Sequence, residues 1–378
     1  MMSSVSRRAV IAAMAGSLFL PVRHALAASS ARLYVNAYGS ADGYGFAGFD
    51  ENGHIHYSIP LPQRGHSFAH CPDGGSGVAF GRRPGDFAVV FDLRSGQQRH
   101  MIRAADDRSF CGHGAYTRDG RLLFATEVIA SQGEGVLGIY DARDGYRRVG
   151  EWSTHGLDPH EILLMPDGQT LAVANGGILM RADMPRLKLN IPDMAPSLVY
   201  IDSRDGRLAG MVKPAAELRQ LSTRHIAIDH MGRVAVAMQY EGPRDDAVPL
   251  VALHDTRSAG GEFSYLPMPE AERAALRQYC GSAAVDRSGR FLAVSSPRGN
   301  RVLIWNLAAA GCPLLFRAEL ADVCGIGASG GKGGFMLSAG TGARLLWKEG
   351  LSLLRPEADA AHRLRWDNHM MTVSGRTA

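Results

Sequence analysis

The chain alternates short apolar runs with polar turns rich in glycine and aspartate, and the same order of runs keeps returning. Stacking Gly65 to Gly96, Gly112 to Gly145, Pro159 to Gly206, Arg224 to Gly260 and Gly281 to Gly311 exposes the repeat. Each stretch opens with an apolar strand and turns at Pro72-Asp73-Gly74, Asp119-Gly120, Pro166-Asp167-Gly168, Met231-Gly232 or Ser288-Gly289. A second strand follows, such as Leu122-Leu123-Phe124-Ala125 or Leu171-Ala172-Val173-Ala174; glycine at these turns suits tight hairpins. The third strand ends in Asp or Asn ahead of another glycine, as in Val89-Val90-Phe91-Asp92 to Gly96 and Val302-Leu303-Ile304-Trp305-Asn306 to Gly311. A fourth, weaker strand completes the unit.

One small sheet cannot bury both of its faces, but sheets stacked around a ring cover each other, so four antiparallel strands per repeat predict propeller blades. Ala321 to Gly350 makes a sixth unit, and the tail Trp366 to Val373 supplies a lone first strand. At the other end Leu33 to Asn36, Tyr44 to Asp50 and His54 to Tyr57 read as second, third and fourth strands without a first. Joined, the two ends make a seventh blade and remove the exposed sheet edges. The expected fold is all-β: a seven-bladed β-propeller of WD40/YVTN-like type, forming a single domain over 28–378. Its ring is closed by the N-terminal strands pairing with the C-terminal strand. Two additions interrupt it, an insertion from Leu179 to Met194 in the third unit and a helix-like stretch from Pro269 to Tyr279.

The first 27 residues belong to no repeat. Arg7-Arg8 stands ahead of the apolar run Ala9 to Leu20, which is too short for a permanent bilayer span, and Ala25-Leu26-Ala27 suits a signal peptidase. This predicts a twin-arginine signal peptide over 1–27, cleavage near Ala27, a periplasmic product and no stable membrane span after processing. Removing Arg7, Arg8 and Arg23 lowers the formal charge from +4 to +1, which argues against a nucleic-acid partner. The 45 glycines fit many short strands joined by tight turns.

Aligning the blade starts brings out the candidate chemistry. The units open Arg64-Gly65-His66, Cys111-Gly112-His113, Asp158-Pro159-His160, Thr223-Arg224-His225, Cys280-Gly281-Ser282, Cys324-Gly325-Ile326 and Asp367-Asn368-His369. Five of seven blades place histidine at one equivalent position, and three place cysteine two residues earlier. The first strand of a propeller blade is the innermost, so these positions converge on the axis. His66, His113, His160, His225 and His369 are therefore candidate metal ligands, with Cys111, Cys280 and Cys324 as additional ones. Imidazole suits copper, iron or zinc, and thiolate favours copper or zinc. Packed together, the imidazoles depress one another's pKa. Arg64, Arg224 and Glu161 are candidate ligand-binding residues beside them, the arginines toward an anion or carboxylate.

Other readings stand beside this one. The histidines can serve the blade junctions alone, Cys280 and Cys324 can form a disulfide between adjacent blades, and Cys71 and Cys312 fit as buried apolar residues. His160-Glu161 offers an acid/base pair, but neighbouring strand residues point to opposite faces. No Cys-x-x-Cys-His, phosphate-cradling glycine loop or Gly-x-Ser-x-Gly elbow occurs, so neither haem nor nucleotide is expected.

The twin-arginine start, Cys111-Gly112-His113-Gly114, Tyr140 to Tyr146, Gly156 to Glu161, Val173 to Ile178, Gln239 to Pro243 and Ser295 to Gly299 together carry a resemblance. The chain resembles an uncharacterised family of exported seven-bladed propellers encoded beside imelysin-type iron-uptake proteins. That resemblance implies a periplasmic accessory to iron acquisition, with iron-uptake proteins as partners; it assigns no catalytic residue. The first expectation is a metal-binding or metal-handling propeller, the second a non-catalytic docking platform, and the third a propeller hydrolase or dehydrogenase.

Overall fold

The computed structural model describes residues 32–181, 184, 187–257, 261–349 and 364–373. The signal peptide expected over 1–27 lies outside the described residues. Seven small sheets form a seven-bladed β-propeller, as the repeat predicts. Blade 1 comprises Gly65–His70, Ser76–Gly81, Phe87–Asp92 and Gln98–Arg103; blade 2 comprises Arg108–Tyr116, Leu122–Ile129, Glu134–Asp141 and Arg147–Leu157. Blade 3 runs through Pro159–Leu164, Thr170–Asn175, Ser197–Asp202 and Leu208–Val212; blade 4 through Leu221–Ile228, Arg233–Tyr240, Val251–Asp255 and Ser264–Tyr265. Blade 5 holds Ser282–Val285, Phe291–Ser296, Arg301–Asn306 and Leu314–Glu319. Blade 6 has Val323–Ala328, Gly334–Ala339 and Arg344–Lys348 among the described residues; its expected fourth strand falls outside them.

Blade 7 closes the ring. The C-terminal strand Arg365–Val373 pairs with Leu33–Ser40, which continues through Gly43–Phe49 to Ile55–Leu61. Tyr34 faces Thr372 and Asn36 faces Met370 in this antiparallel register. Trp366 then packs against Tyr38 and Phe49.

Middle strands are apolar on both faces because a neighbouring blade covers each one: Phe291–Ser296 is buried throughout. Outer strands meet solvent on one side, so Leu314–Glu319 alternates half-buried and exposed residues. Where an Asp or Asn closes the third strand, it caps the turn. Asp92 Oδ1 accepts from the amides of Arg94 and Ser95, Asp141 Oδ1 from that of Arg143, and Asn306 Oδ1 from that of Ala308. Gly96, at φ 68°, supplies the left-handed turn residue that a Cβ would strain.

The helix-like stretch after blade 4 contains the helix Glu270–Ala275. The insertion in blade 3 is tied down by Asn190, whose Oδ1 accepts from the Leu179 amide and whose Nδ2 donates to the Gly177 carbonyl. Among the described residues, no helix is long and apolar enough to cross a membrane.

Candidate metal centre

The histidines reach the axis because the innermost strands are irregular. Register shifts interrupt the pairing between Gly65 and Phe68, Phe110 and Gly114, Pro159 and Ile162, and Thr223 and His225, and another breaks the pairing of Asn36 and Tyr38 with the C-terminal strand. A bulge re-aims a side chain that a regular pleat would send into a blade interface, and each of these five carries one histidine. His369 adopts φ 65°, an uncommon conformation for a non-glycine residue, and Gly112 before His113 sits at φ 103°. Thr126 Oγ1 lies 3.2 Å from the carbonyl oxygens of both His113 and His160, which ties two blades together beside the site.

His66, His113, His160, His225 and His369 are all buried, none more than 6% exposed. Their ring centroids lie 4.6 Å apart for His66 and His369, 4.5 Å for His113 and His369, 4.8 Å for His160 and His225, and 4.6 Å for His225 and His369. One ligand nitrogen from each of His66, His113, His160 and His369 fits within 4.8 Å of the others, as do donors from Glu161, His225 and His369. His369 belongs to both sets.

Eight imidazole nitrogens here are buried without a hydrogen-bond partner: both of His66, His160 and His225, and Nε2 of His113 and His369. Buried polar atoms are nearly always paired, so this concentration of lone pairs calls for partners such as ordered water or an ion. Burial, then the neighbouring imidazoles, hold His66, His113 and His160 well below the usual imidazole pKa. Burial first lowers His225 and His369 to about 3. The rings are neutral at pH 7 and their lone pairs are free to bind a cation, which fits a borderline transition metal.

Glu161 lies beside the histidines against the alternation of a regular strand. Adjacent residues of a regular strand face opposite ways, yet the bulge at Pro159 to Ile162 brings Glu161 to the same cluster as His160. Its Oε1 lies 3.9 Å from His113 Nδ1 and its Oε2 3.7 Å from His225 Nδ1, while Oε2 also accepts from the Ile226 amide at 2.9 Å. Burial raises its carboxyl to about 7.

The arginines lie to one side of the rings and are already paired. Arg64 binds Asp367, and Arg224 is buried 3.6 Å from Asp158 and 3.8 Å from Glu241. Arg83, which the motif alignment passes over, also pairs with Asp158. Asp158 was visible as the residue two before His160, but its arginine partner arrives from a loop of another blade.

The cysteines do not join the cluster. All five are free, so the Cys280–Cys324 disulfide does not form. Burial pushes the Cys111 and Cys280 thiols up to about 12 and raises Cys324 as well, which keeps them protonated. Cys280 packs in the blade 4 core, and Cys324 Sγ lies 3.3 Å from the Trp366 carbonyl oxygen. Cys71 is buried as expected, whereas Cys312 is only half-buried, because it sits in a turn at φ 44°.

Fold and site together define a seven-bladed propeller whose axis holds a buried polyhistidine cage. The chain belongs to the DUF1513 family, described as proteins of unknown function, whose profile matches residues 59–373. No curated protein matches it. Among solved structures it is similar to Kuenenia stuttgartiensis hydrazine synthase, at 16% identity and TM-score 0.63, over 82% of this chain and 90% of that one. It is also similar to a functionally unknown protein from Desulfotomaculum acetoxidans DSM 771, at 11% identity and TM-score 0.60, covering 89% and 99%. The β-propeller domain of Myceliophteria thermophila Cps50 (Swd1) matches at 16% identity and TM-score 0.52, covering 77% and 85%. At these identities the likeness concerns the fold alone.

Proposed function

We propose that this protein holds a transition-metal ion in the axial imidazole cage and acts as an exported accessory to metal acquisition. The observation that carries the reading is the set of eight buried, unpartnered imidazole nitrogens. His66, His113, His160 and His369 would form the principal ligand set, with His225 and Glu161 beside it. Nitrogen donors of this kind suit copper, zinc or iron. The resemblance to exported propellers encoded beside imelysin-type proteins favours iron or copper as the cargo and a periplasmic iron-uptake protein as partner. Docking of such a partner is supported by Leu187 and Leu189, exposed on the blade 3 insertion.

The test is elemental analysis of untagged protein purified from the periplasm without chelators. One equivalent of copper, iron or zinc is expected, lost in His113→Ala and His160→Ala while both variants keep the far-ultraviolet spectrum of the parent. Metal-free protein that also refuses copper, zinc and iron on reconstitution contradicts the proposal.

A further inference from the structure

The cage has two unlike approaches. In every blade the innermost strand runs the same way along the axis, so residues before the histidine lie toward one end and those after it toward the other. The first end carries Arg64, Arg82, Arg83 and Arg224, and the Arg82 amide donates to the Arg64 carbonyl, which fixes two of them at one rim. Asp367, Asp158 and Glu241 pair with these guanidinium groups. The other end is a cavity of about 240 Å³ bordered by Glu161 and His369, with Ser67, Ser282, Gly327 and Thr372 in its wall. Among the described residues, no lysine or arginine lines it. Ala328 and Thr372 in that wall are half-buried rather than buried, so solvent reaches it.

The small residues are required there. A Cβ on Gly327 would come within 3.0 Å of Thr372 Oγ1 and 3.3 Å of Met370 Sδ, so a larger residue would narrow the passage. Glu161 and His369 stand where this passage meets the cage, and with His225 they bring three donors within 4.8 Å of one another. A cation approaching from the arginine end meets guanidinium groups already held in ion pairs, with no free donor to receive it; one approaching from the other end meets a carboxylate and an imidazole.

We propose that a divalent cation enters and leaves through the Glu161 end, and that Glu161, His225 and His369 form a transit site that passes it to the four-histidine set through the shared His369. This rests on the metal-binding reading and adds a direction and a second coordination position to it.

Stopped-flow loading of chelator-stripped protein with cobalt(II), followed by its visible absorption, separates the two ideas. Glu161→Gln keeps the shape of the side chain and is expected to slow loading about tenfold. Ala328→Lys, which lays an ammonium group across the passage, should slow it as well, and Arg82→Ala at the opposite rim should leave the rate as it is. If both passage variants load at the parental rate, or Arg82→Ala loads faster, the route is overturned while the metal reading stands. If the parental protein takes up no cobalt at equilibrium, the cage itself is refuted and the route with it.

Discussion

Lowering the pH should destabilise the metal-free protein through the histidine cage. A histidine whose folded pKa lies below its unfolded value of 6.5 favours folding above pH 6.5, and that stability is lost as the pH falls, because the unfolded chain takes up a proton that the native one refuses. All five cage histidines are depressed in this sense, two of them to about 3. At pH 5.5 each unfolded imidazole has gained about 1.4 kcal/mol relative to neutral pH, so the five together cost about 7 kcal/mol. Glu161 works the other way. Its carboxyl is raised to about 7, so the native state binds its proton first and regains about 2 kcal/mol. The net loss is about 5 kcal/mol, as large as the whole stability of many domains. Carboxylates held low in the native state, such as Asp92 and Asp255, contribute little at this pH because they stay ionised in both states. His254, also lowered by burial, adds in the same direction as the cage.

Urea titrations of chelator-stripped protein at pH 7.5 and 5.5, followed by tryptophan fluorescence, measure the difference. His225→Gln should narrow it by about 1.4 kcal/mol, the share of one imidazole. Stabilities that agree within about 1 kcal/mol at the two pH values would refute the claim that these rings are buried and neutral.

Other consequences follow from single residues. Gly112→Ala places a Cβ 2.5 Å from His66 Cδ2 on a backbone at φ 103°; thermal denaturation should show a loss of about 1–3 kcal/mol, and metal affinity should fall. Glu127 is buried, accepting from Tyr140 at 2.6 Å and Arg148 at 2.9 Å, so Glu127→Ala should cost about 3 kcal/mol in urea titration, the lower range because Arg148 keeps Glu151. Deleting 365–378 removes the strand that closes blade 7 and takes His369 with it, leaving the Leu33–Ser40 edge open. That truncation should aggregate or elute as a larger species in size-exclusion chromatography, where the parent runs as a defined peak.

The blades were legible because each obeys one local rule: apolar strands that alternate with Asp or Asn and glycine turns need only neighbours to be buried. The closing blade was legible from a count, since Trp366 to Val373 had the pattern of a first strand and Leu33 to Asn36 of a second. The five histidines emerged from the same alignment because equivalent positions in a ring must converge. Glu161 stood among the candidates, but strand alternation argued against pairing it with His160, because a period of two assumes a regular strand and the bulge between Pro159 and Ile162 breaks it. Arg83 was invisible for a different reason. Its partner Asp158 is 75 residues away in sequence and meets it only once blades 1 and 3 have taken their places. The cysteines at the blade starts shared the alignment but not the placement, since Cys324 packs against Trp366 and Ser338.

The most direct test of the central claim is X-ray absorption at the edge of whichever metal the purified protein carries. The account predicts a shell of nitrogen neighbours at about 2.0–2.1 Å, with the outer-shell scattering of several imidazole rings and no sulfur. A sulfur shell at about 2.3 Å, or an oxygen shell without imidazole scattering, would place the ion elsewhere and contradict a polyhistidine cage on the propeller axis.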